Sequence, residues 1–133
     1  MLFFLLLSLC SAQELLHVIE LCRHGARSPI HFQPWDNSTV WPEGKGQLTP
    51  AGMRQHFLIG HELRNRYIIN TPLLSANFTQ QEISIFSSDV NRTLQSAVSQ
   101  MQGLYPPGTG PNLRDTNMIS KSCLLYTSDA ADE

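Results

Sequence analysis

The stretch that decides the fold reads Arg23-His24-Gly25-Ala26-Arg27-Ser28-Pro29, and it directly follows the apolar run Leu16-His17-Val18-Ile19-Glu20-Leu21-Cys22. The run predicts a β-strand, and the glycine and proline after it predict a turn. A strand that ends in a tight turn projects side chains into the crevice at the carboxyl end of an open α/β sheet, where ligands bind. Because arginine matches the geometry of phosphate oxygens, two arginines beside one histidine indicate an oxyanion site with a reactive imidazole.

A helix is predicted downstream of this turn. Thr49 is a good N-cap residue, and Pro50 suits the first helical position, where its missing N–H costs nothing. Apolar residues then recur at near-helical intervals over residues 51–69. The sequence Asn70-Thr71-Pro72 is expected to end the helix, because a residue before proline is pushed out of the α region.

A second strand and a second helix are predicted further along the chain. Residues 83–88 alternate and then become apolar, which is typical of a strand. The helix after them repeats apolar residues at helical spacing, and we expect Ser88 or Asp89 to cap it. Arg92 then falls on the first helical turn, where free backbone N–H groups and the helix dipole favour an anion.

The opening stretch resembles the fingerprint Arg-His-Gly-x-Arg-x-Pro of the histidine acid phosphatases, branch 2 of the histidine phosphatase superfamily. Two more blocks are similar to the prostatic and lysosomal type of that family, namely Gly46-Gln47-Leu48-Thr49 with the helix after it, and Ser88-Asp89-x-x-Arg92-Thr93. The resemblance implies an α/β fold, a histidine-phosphatase-like three-layer core with a mainly parallel sheet, of which only the amino-terminal part is present. It also implies that His24 attacks phosphorus, while Arg23, Arg27 and Arg92 bind the phosphoryl group.

The activity implied by the resemblance is hydrolysis of small-molecule phosphate monoesters through a phosphohistidine, without a metal or organic cofactor. In the family, an aspartate of a His-Asp pair protonates the leaving alcohol, and this sequence contains no such pair. We therefore expect an acid phosphatase as the full-length parent and an inactive fragment here. The resemblance also allows a homodimer. His56 and His61 are expected to be solvated or half-buried and outside the chemistry.

Other functions are compatible with the same residues. A phytase or a lysophosphatidic acid phosphatase of the same family would share the motif and differ in a substrate cap that this sequence does not include. A non-catalytic protein that binds phosphorylated ligands would need the arginines but not the proton donor. A plain secreted domain without a site is the remaining alternative, and the three matching blocks argue against it.

The amino terminus predicts entry into the secretory pathway. Residues 1–12 form a short apolar block that ends in small residues, as a signal peptide does, although a buried core helix is the alternative. Glycosylation sequons begin at Asn37, Asn77 and Asn91, and we expect the last to stay unmodified because it lies at the predicted phosphate site. We therefore expect a secreted or lysosomal glycoprotein, with no stable membrane anchor visible.

Composition and length set the remaining limits. The chain has 133 residues, 9 basic and 11 acidic, with a formal net charge of −2, which gives no argument for binding nucleic acid or an anionic membrane. The 3 cysteines support no disulfide framework. We assign residues 13–112 to the truncated phosphatase domain and leave 113–133 as an unassigned tail. Within the tail, residues 123–133 resemble the translation of a sequencing adapter, the alternative being a genuine short tail.

Overall fold

The computed structural model describes residues 14–110. Its regular elements are two α-helices, one π-helical segment and two 3₁₀ turns: α1 Pro50–Arg64, α2 Asn91–Leu104, the π-helical segment Asn65–Asn70, and the turns Ser38–Val40 and Gln80–Glu82. The predicted signal peptide at 1–12 and the predicted tail at 113–133 lie outside the described residues. Within residues 14–110, no helix has the length and apolar character needed to cross a bilayer.

Helix α1 begins as the sequence predicts. Thr49 is the N-cap residue in an extended conformation, and its Oγ1 accepts a hydrogen bond from the Gly52 amide at 3.2 Å. Pro50 occupies the first helical position. Beyond Arg64 the chain continues as the π-helical segment to Asn70, and Thr71 is extended. The predicted helix and its end before Pro72 are therefore confirmed.

Helix α2 is confirmed, but its predicted cap is wrong. Val90 is the N-cap residue and provides no side-chain hydrogen bond, so Asp89 lies one position too early to cap. Ser88 contacts the first turn in another way. The Ser88 carbonyl accepts a hydrogen bond from Thr93 Oγ1 at 2.7 Å, and the Ser88 hydroxyl donates to Thr93 Oγ1 at 3.1 Å. The entry into α2 is thus held by Thr93 rather than by an N-cap side chain.

The two helices pack with their backbones in contact. A Cβ added at Gly60 would fall on the Gln100 carbonyl oxygen and lie 2.9 Å from the Leu104 amide nitrogen. A Cβ added at Gly103 would fall on the Phe57 carbonyl oxygen in the same way. Glycine at both positions therefore permits an approach that any larger residue would prevent.

A small apolar core lies at the carboxyl end of α2. It consists of Met101, Leu104 and Tyr105, and Tyr105 is fully buried. The ring of Phe78 meets the Tyr105 ring edge-on, with 5.4 Å between the ring centroids. The other apolar side chains against this core are Leu63, Ile68, Leu74 and Ile83. The core fixes the carboxyl end of α2 against the end of α1 and the segment that follows it.

The predicted strands do not form a sheet among residues 14–110. Segments 16–22 and 83–88 carry no strand pairing, and the β-type pairing there is one isolated antiparallel bridge between Arg27 and Leu48. Side chains of both segments are strongly exposed, including Leu21 at 98% and Phe86 at 94%. Strands require hydrogen-bonding neighbours, and the described residues supply none to these segments. The two predicted strands, and the mainly parallel sheet of a three-layer core, are therefore not confirmed within residues 14–110.

Substituting Gly103 by alanine tests the backbone contact between α1 and α2. Alanine has the higher helix propensity, by about 1 kcal/mol, so without the contact the change would stabilise the protein. Because the new methyl group meets rigid backbone, we expect Gly103→Ala to lower the free energy of unfolding by about 1–3 kcal/mol.

The urea midpoint of the full-length protein provides the measurement. Gln102→Ala, at the exposed neighbouring position of α2, serves as the control and should change the midpoint little. A rise in the midpoint for Gly103→Ala would show that the helices do not approach this closely.

Candidate active site

The carboxyl half of the motif is hydrogen-bonded to the segment that leads into α1. The Ser28 amide donates to the Gln47 carbonyl at 3.0 Å, and the Thr49 amide donates to the Ala26 carbonyl at 3.0 Å. Thr49 Oγ1 donates to the same Ala26 carbonyl at 2.9 Å while it caps α1. The motif loop and the start of the helix are therefore joined through one residue.

The middle of the motif lies directly on the first turn of α1. A Cβ added at Gly25 would fall on the Gly52 carbonyl oxygen and lie 2.7 Å from the Gly52 Cα. The next amide, that of Ala26, donates to Gln55 Oε1 at 2.9 Å. Glycine at both contact positions lets the loop reach the helix backbone. The close contact is a physical reason for glycine at position 25 of the motif.

His24 is half-buried, and one of its ring nitrogens is engaged. Nδ1 lies 2.8 Å from the Gly25 carbonyl oxygen. Because a carbonyl can only accept, Nδ1 carries the proton of the neutral ring in this arrangement, and Nε2 carries the lone pair. In this arrangement Nε2 is the ring nitrogen whose lone pair is available.

A single serine connects the motif to the first turn of α2. The Gly25 amide donates to Ser96 Oγ at 3.1 Å, and Ser96 Oγ donates to the Arg92 carbonyl at 2.7 Å. Ser96 is buried. The structure thus brings the backbone of Arg92 next to the residue that follows His24, although the two lie far apart in sequence.

The arginines predicted for the site differ in their surroundings. The Nε atoms of Arg27 and Arg92 are buried and have no hydrogen-bond partner among residues 14–110. Arg27 also donates from Nη1 to the Ser28 carbonyl at 2.9 Å. Arg23 is exposed. Buried guanidinium nitrogens that lack a protein acceptor suit an anion that would accept from them.

His56 is a site residue that the sequence reasoning missed. It was expected to be solvated or half-buried, but it is only 2% exposed, so that expectation is wrong. Its Nε2 lies 3.0 Å from the Arg23 carbonyl oxygen, and its Nδ1 lies 3.0 Å from Gln100 Oε1. The spacing along α1 could have indicated its burial. The buried residues of the helix are Gly52, His56 and Gly60, at intervals of four, so they share one face. His61 is exposed, in keeping with the expectation for it.

The Cys22 thiol lies directly before the motif. Partial burial, and secondarily the carboxylate of Glu20, raises the pKa of the Cys22 thiol, so this sulfur is held in its weakly nucleophilic protonated form. In the part of the chain from 14 to 110, no group of three or more His, Cys, Asp or Glu side chains is arranged to hold a metal ion.

Replacing Ser96 by alanine tests the connection between the motif and α2. The change removes the acceptor of the Gly25 amide, and a buried donor without a partner costs about 1–3 kcal/mol. We expect Ser96→Ala to lower the unfolding free energy of the full-length protein by this amount and to speed hydrogen exchange at the Gly25 amide.

Ser99→Ala is a matched control for this prediction. Ser99 is also buried in α2 and also donates to the carbonyl four residues earlier, that of Gln95, at 2.7 Å, but it accepts nothing from the motif. Equal effects of the two substitutions on stability and on Gly25 exchange would contradict the connection.

Comparison with known proteins places this geometry in a family. A sequence profile of the histidine phosphatase superfamily (branch 2) matches residues 14–132. Similar proteins include lysosomal acid phosphatase of Xenopus laevis, 40% identical over 127 residues that make up 94% of this chain and 28% of that protein. Prostatic acid phosphatase of Mus musculus is 44% identical over 111 residues, 79% of this chain and 28% of that protein. Lysosomal acid phosphatase of Homo sapiens is 43% identical over 98 residues, 72% of this chain and 22% of that protein.

The matches are long with respect to this chain and short with respect to the relatives. The chain spans about 28% of the length of the first curated relatives that it matches. The profile covers almost all of the sequence and includes the motif loop, α1 and α2. The chain belongs to branch 2 of the histidine phosphatase superfamily, whose members have an α/β fold.

Proposed function

We propose that the full-length protein is an acid phosphatase that hydrolyses phosphate monoesters through a phosphohistidine at His24. The observation that carries the proposal is the engagement of Nδ1 of His24 by the Gly25 carbonyl at 2.8 Å. This contact leaves Nε2 as the nucleophile in a loop that also contains the buried, unpartnered Nε of Arg27. The names of the similar proteins, lysosomal and prostatic acid phosphatase, support the same activity.

The proposed reaction has two displacements at phosphorus. In the first, Nε2 of His24 forms a bond to phosphorus as the bond to the ester oxygen breaks, and the leaving alcohol takes up a proton from an acid. In the second, water attacks the phosphohistidine and returns one proton to that acid, the N–P bond breaks, and phosphate and neutral His24 are formed. Each step conserves atoms and electrons without a redox partner, metal ion or organic cofactor.

The arginines have an electrostatic role in this proposal. A phosphate monoester carries up to two negative charges, which repel a nucleophile and make spontaneous hydrolysis very slow. Arg23, Arg27 and Arg92 would neutralise that charge and hold phosphorus in line with His24. The buried Nε atoms of Arg27 and Arg92 support direct contacts with phosphate oxygens, whereas Arg23 is exposed and would bind at the rim.

The acid that protonates the alcohol is assigned outside this sequence. The family resemblance implies an aspartate in a His-Asp pair, and none of the five histidines here precedes an aspartate. We therefore propose that the pair, and the later strands of a mainly parallel sheet in a three-layer core, belong to the remainder of the full-length protein. Segments 16–22 and 83–88 would pair there. In the same proposal, residues 13–112 are phosphatase sequence and 123–133 derive from a sequencing adapter.

The cellular setting follows from the same reasoning. A signal peptide at 1–12 and glycans at Asn37 and Asn77 would suit a secreted or lysosomal enzyme, and both asparagines are exposed. A homodimer is part of the proposal on the strength of the family resemblance alone. Sedimentation of the full-length protein would test it.

Extending the coding sequence beyond residue 112 in the source RNA is the first test. Phosphatase-like sequence with a His-Asp pair would support the enzyme and the adapter assignment. A natural stop after Glu133 would contradict the adapter assignment. A complete domain in which the pair is replaced would favour a protein that binds phosphorylated ligands without hydrolysing them.

His24→Ala in the full-length protein tests the mechanism itself. We expect hydrolysis of a phosphate monoester at acid pH to fall at least about 10³-fold, because the attacking nitrogen is lost. His31→Ala is the control, since His31 is exposed in the loop after the motif and has no proposed role. An acid-labile phosphoenzyme should form with the control and not with His24→Ala. Unchanged hydrolysis by His24→Ala would refute the proposed nucleophile.

A further inference from the structure

His56, on α1, is enclosed between the motif and α2. The side chain is buried, and each ring nitrogen faces one oxygen at 3.0 Å, Nε2 the Arg23 carbonyl and Nδ1 the Gln100 side-chain oxygen. The Arg23 carbonyl belongs to the peptide unit that precedes His24. One imidazole therefore links the backbone next to the nucleophile to the middle of α2.

Both oxygens can only accept hydrogen bonds. The Arg23 oxygen is a backbone carbonyl. The orientation of the Gln100 amide is set by Glu20, whose carboxylate accepts from Gln100 Nε2 and cannot donate when ionised. The Cys22 thiol also donates to Gln100 Oε1, at 3.7 Å. Turning the amide over would place two acceptors, Gln100 Oε1 and the Glu20 carboxylate, against each other.

Both ring nitrogens of His56 are engaged. Nε2 faces the Arg23 carbonyl and Nδ1 faces Gln100 Oε1, each at 3.0 Å. At a buried position these contacts matter, because an unpaired polar group there is costly. Loss of the ring would therefore release the carbonyl of the peptide unit that precedes His24.

We propose that His56 is a positioning residue that holds the Arg23–His24 peptide against α2 during catalysis. The inference rests on the proposed phosphatase function. It complements the contact on the other side of the nucleophile, where the Gly25 amide donates to Ser96 Oγ of the same helix. His24 is then fixed from both sides to α2, the helix that also carries Arg92.

Three variants of the full-length protein test the inference. His56→Gln should lower kcat for a phosphate monoester about 10-fold to 100-fold through misplacement of His24. His61→Gln is the matched control, because His61 is exposed on the same helix and its ring contacts Asn65, in the segment that follows α1. Glu20→Ala removes the acceptor that orients the Gln100 amide toward His56, so kcat should fall while KM changes little.

Nitrogen NMR of the His56 ring gives a readout independent of turnover. We expect both ring nitrogens to show hydrogen bonding in the wild type, and the Nδ1 signal to change in Glu20→Ala. Ring nitrogens without a hydrogen bond would overturn the inference, as would a kcat unchanged in His56→Gln. If the wild type hydrolyses no phosphate ester, the proposed function fails, and the ring-nitrogen signals together with hydrogen exchange at the His24 amide still decide the role of His56.

Discussion

Backbone contact between Gly25 of the motif and Gly52 of α1 sets the distance between the motif loop and the helix next to it. The other links between the two depend on that distance. Thr49 can donate to Ala26 while capping α1, and Gln55 can accept from the Ala26 amide, only because no side chain separates the backbones. A methyl group at either glycine would push the loop outward and break these bonds together.

Within residues 14–110, the Nε atoms of Arg27 and Arg92 are buried without a hydrogen-bond partner. The ion pair found among residues 14–110 joins Arg66 to Glu62 on an exposed helical surface, away from the motif. Burying guanidinium nitrogens without a paired anion costs free energy of desolvation, which a bound phosphoryl group would offset. Substrate would therefore contribute to the stability of the loop as well as react in it.

Local sequence signals predicted the helices well and the sheet poorly. Thr49 and Pro50 act within a few residues, so the start of α1 could be predicted from the chain alone. Pairing of segments 16–22 and 83–88 depends on partners distant in sequence or outside it, and periodicity alone carries no information about them. The motif pointed to His24 and its arginines, yet not to His56, because its role arises from two acceptors contributed by Arg23 and Gln100. Polar contacts between distant segments are not encoded in any short pattern.

The link between Gly25 and Ser96 joins residues 71 positions apart. Closing so long a loop has an entropic cost that local helix formation does not, and such contacts form late as a chain folds. Helix α1 and its cap can form as soon as residues 49–64 are available, whereas the contact of the Gly25 amide beside His24 forms only when α2 has docked. During synthesis, the ribosome must therefore release the chain through about residue 100 before the motif loop can contact α2, and the loop spends that interval without its partner helix.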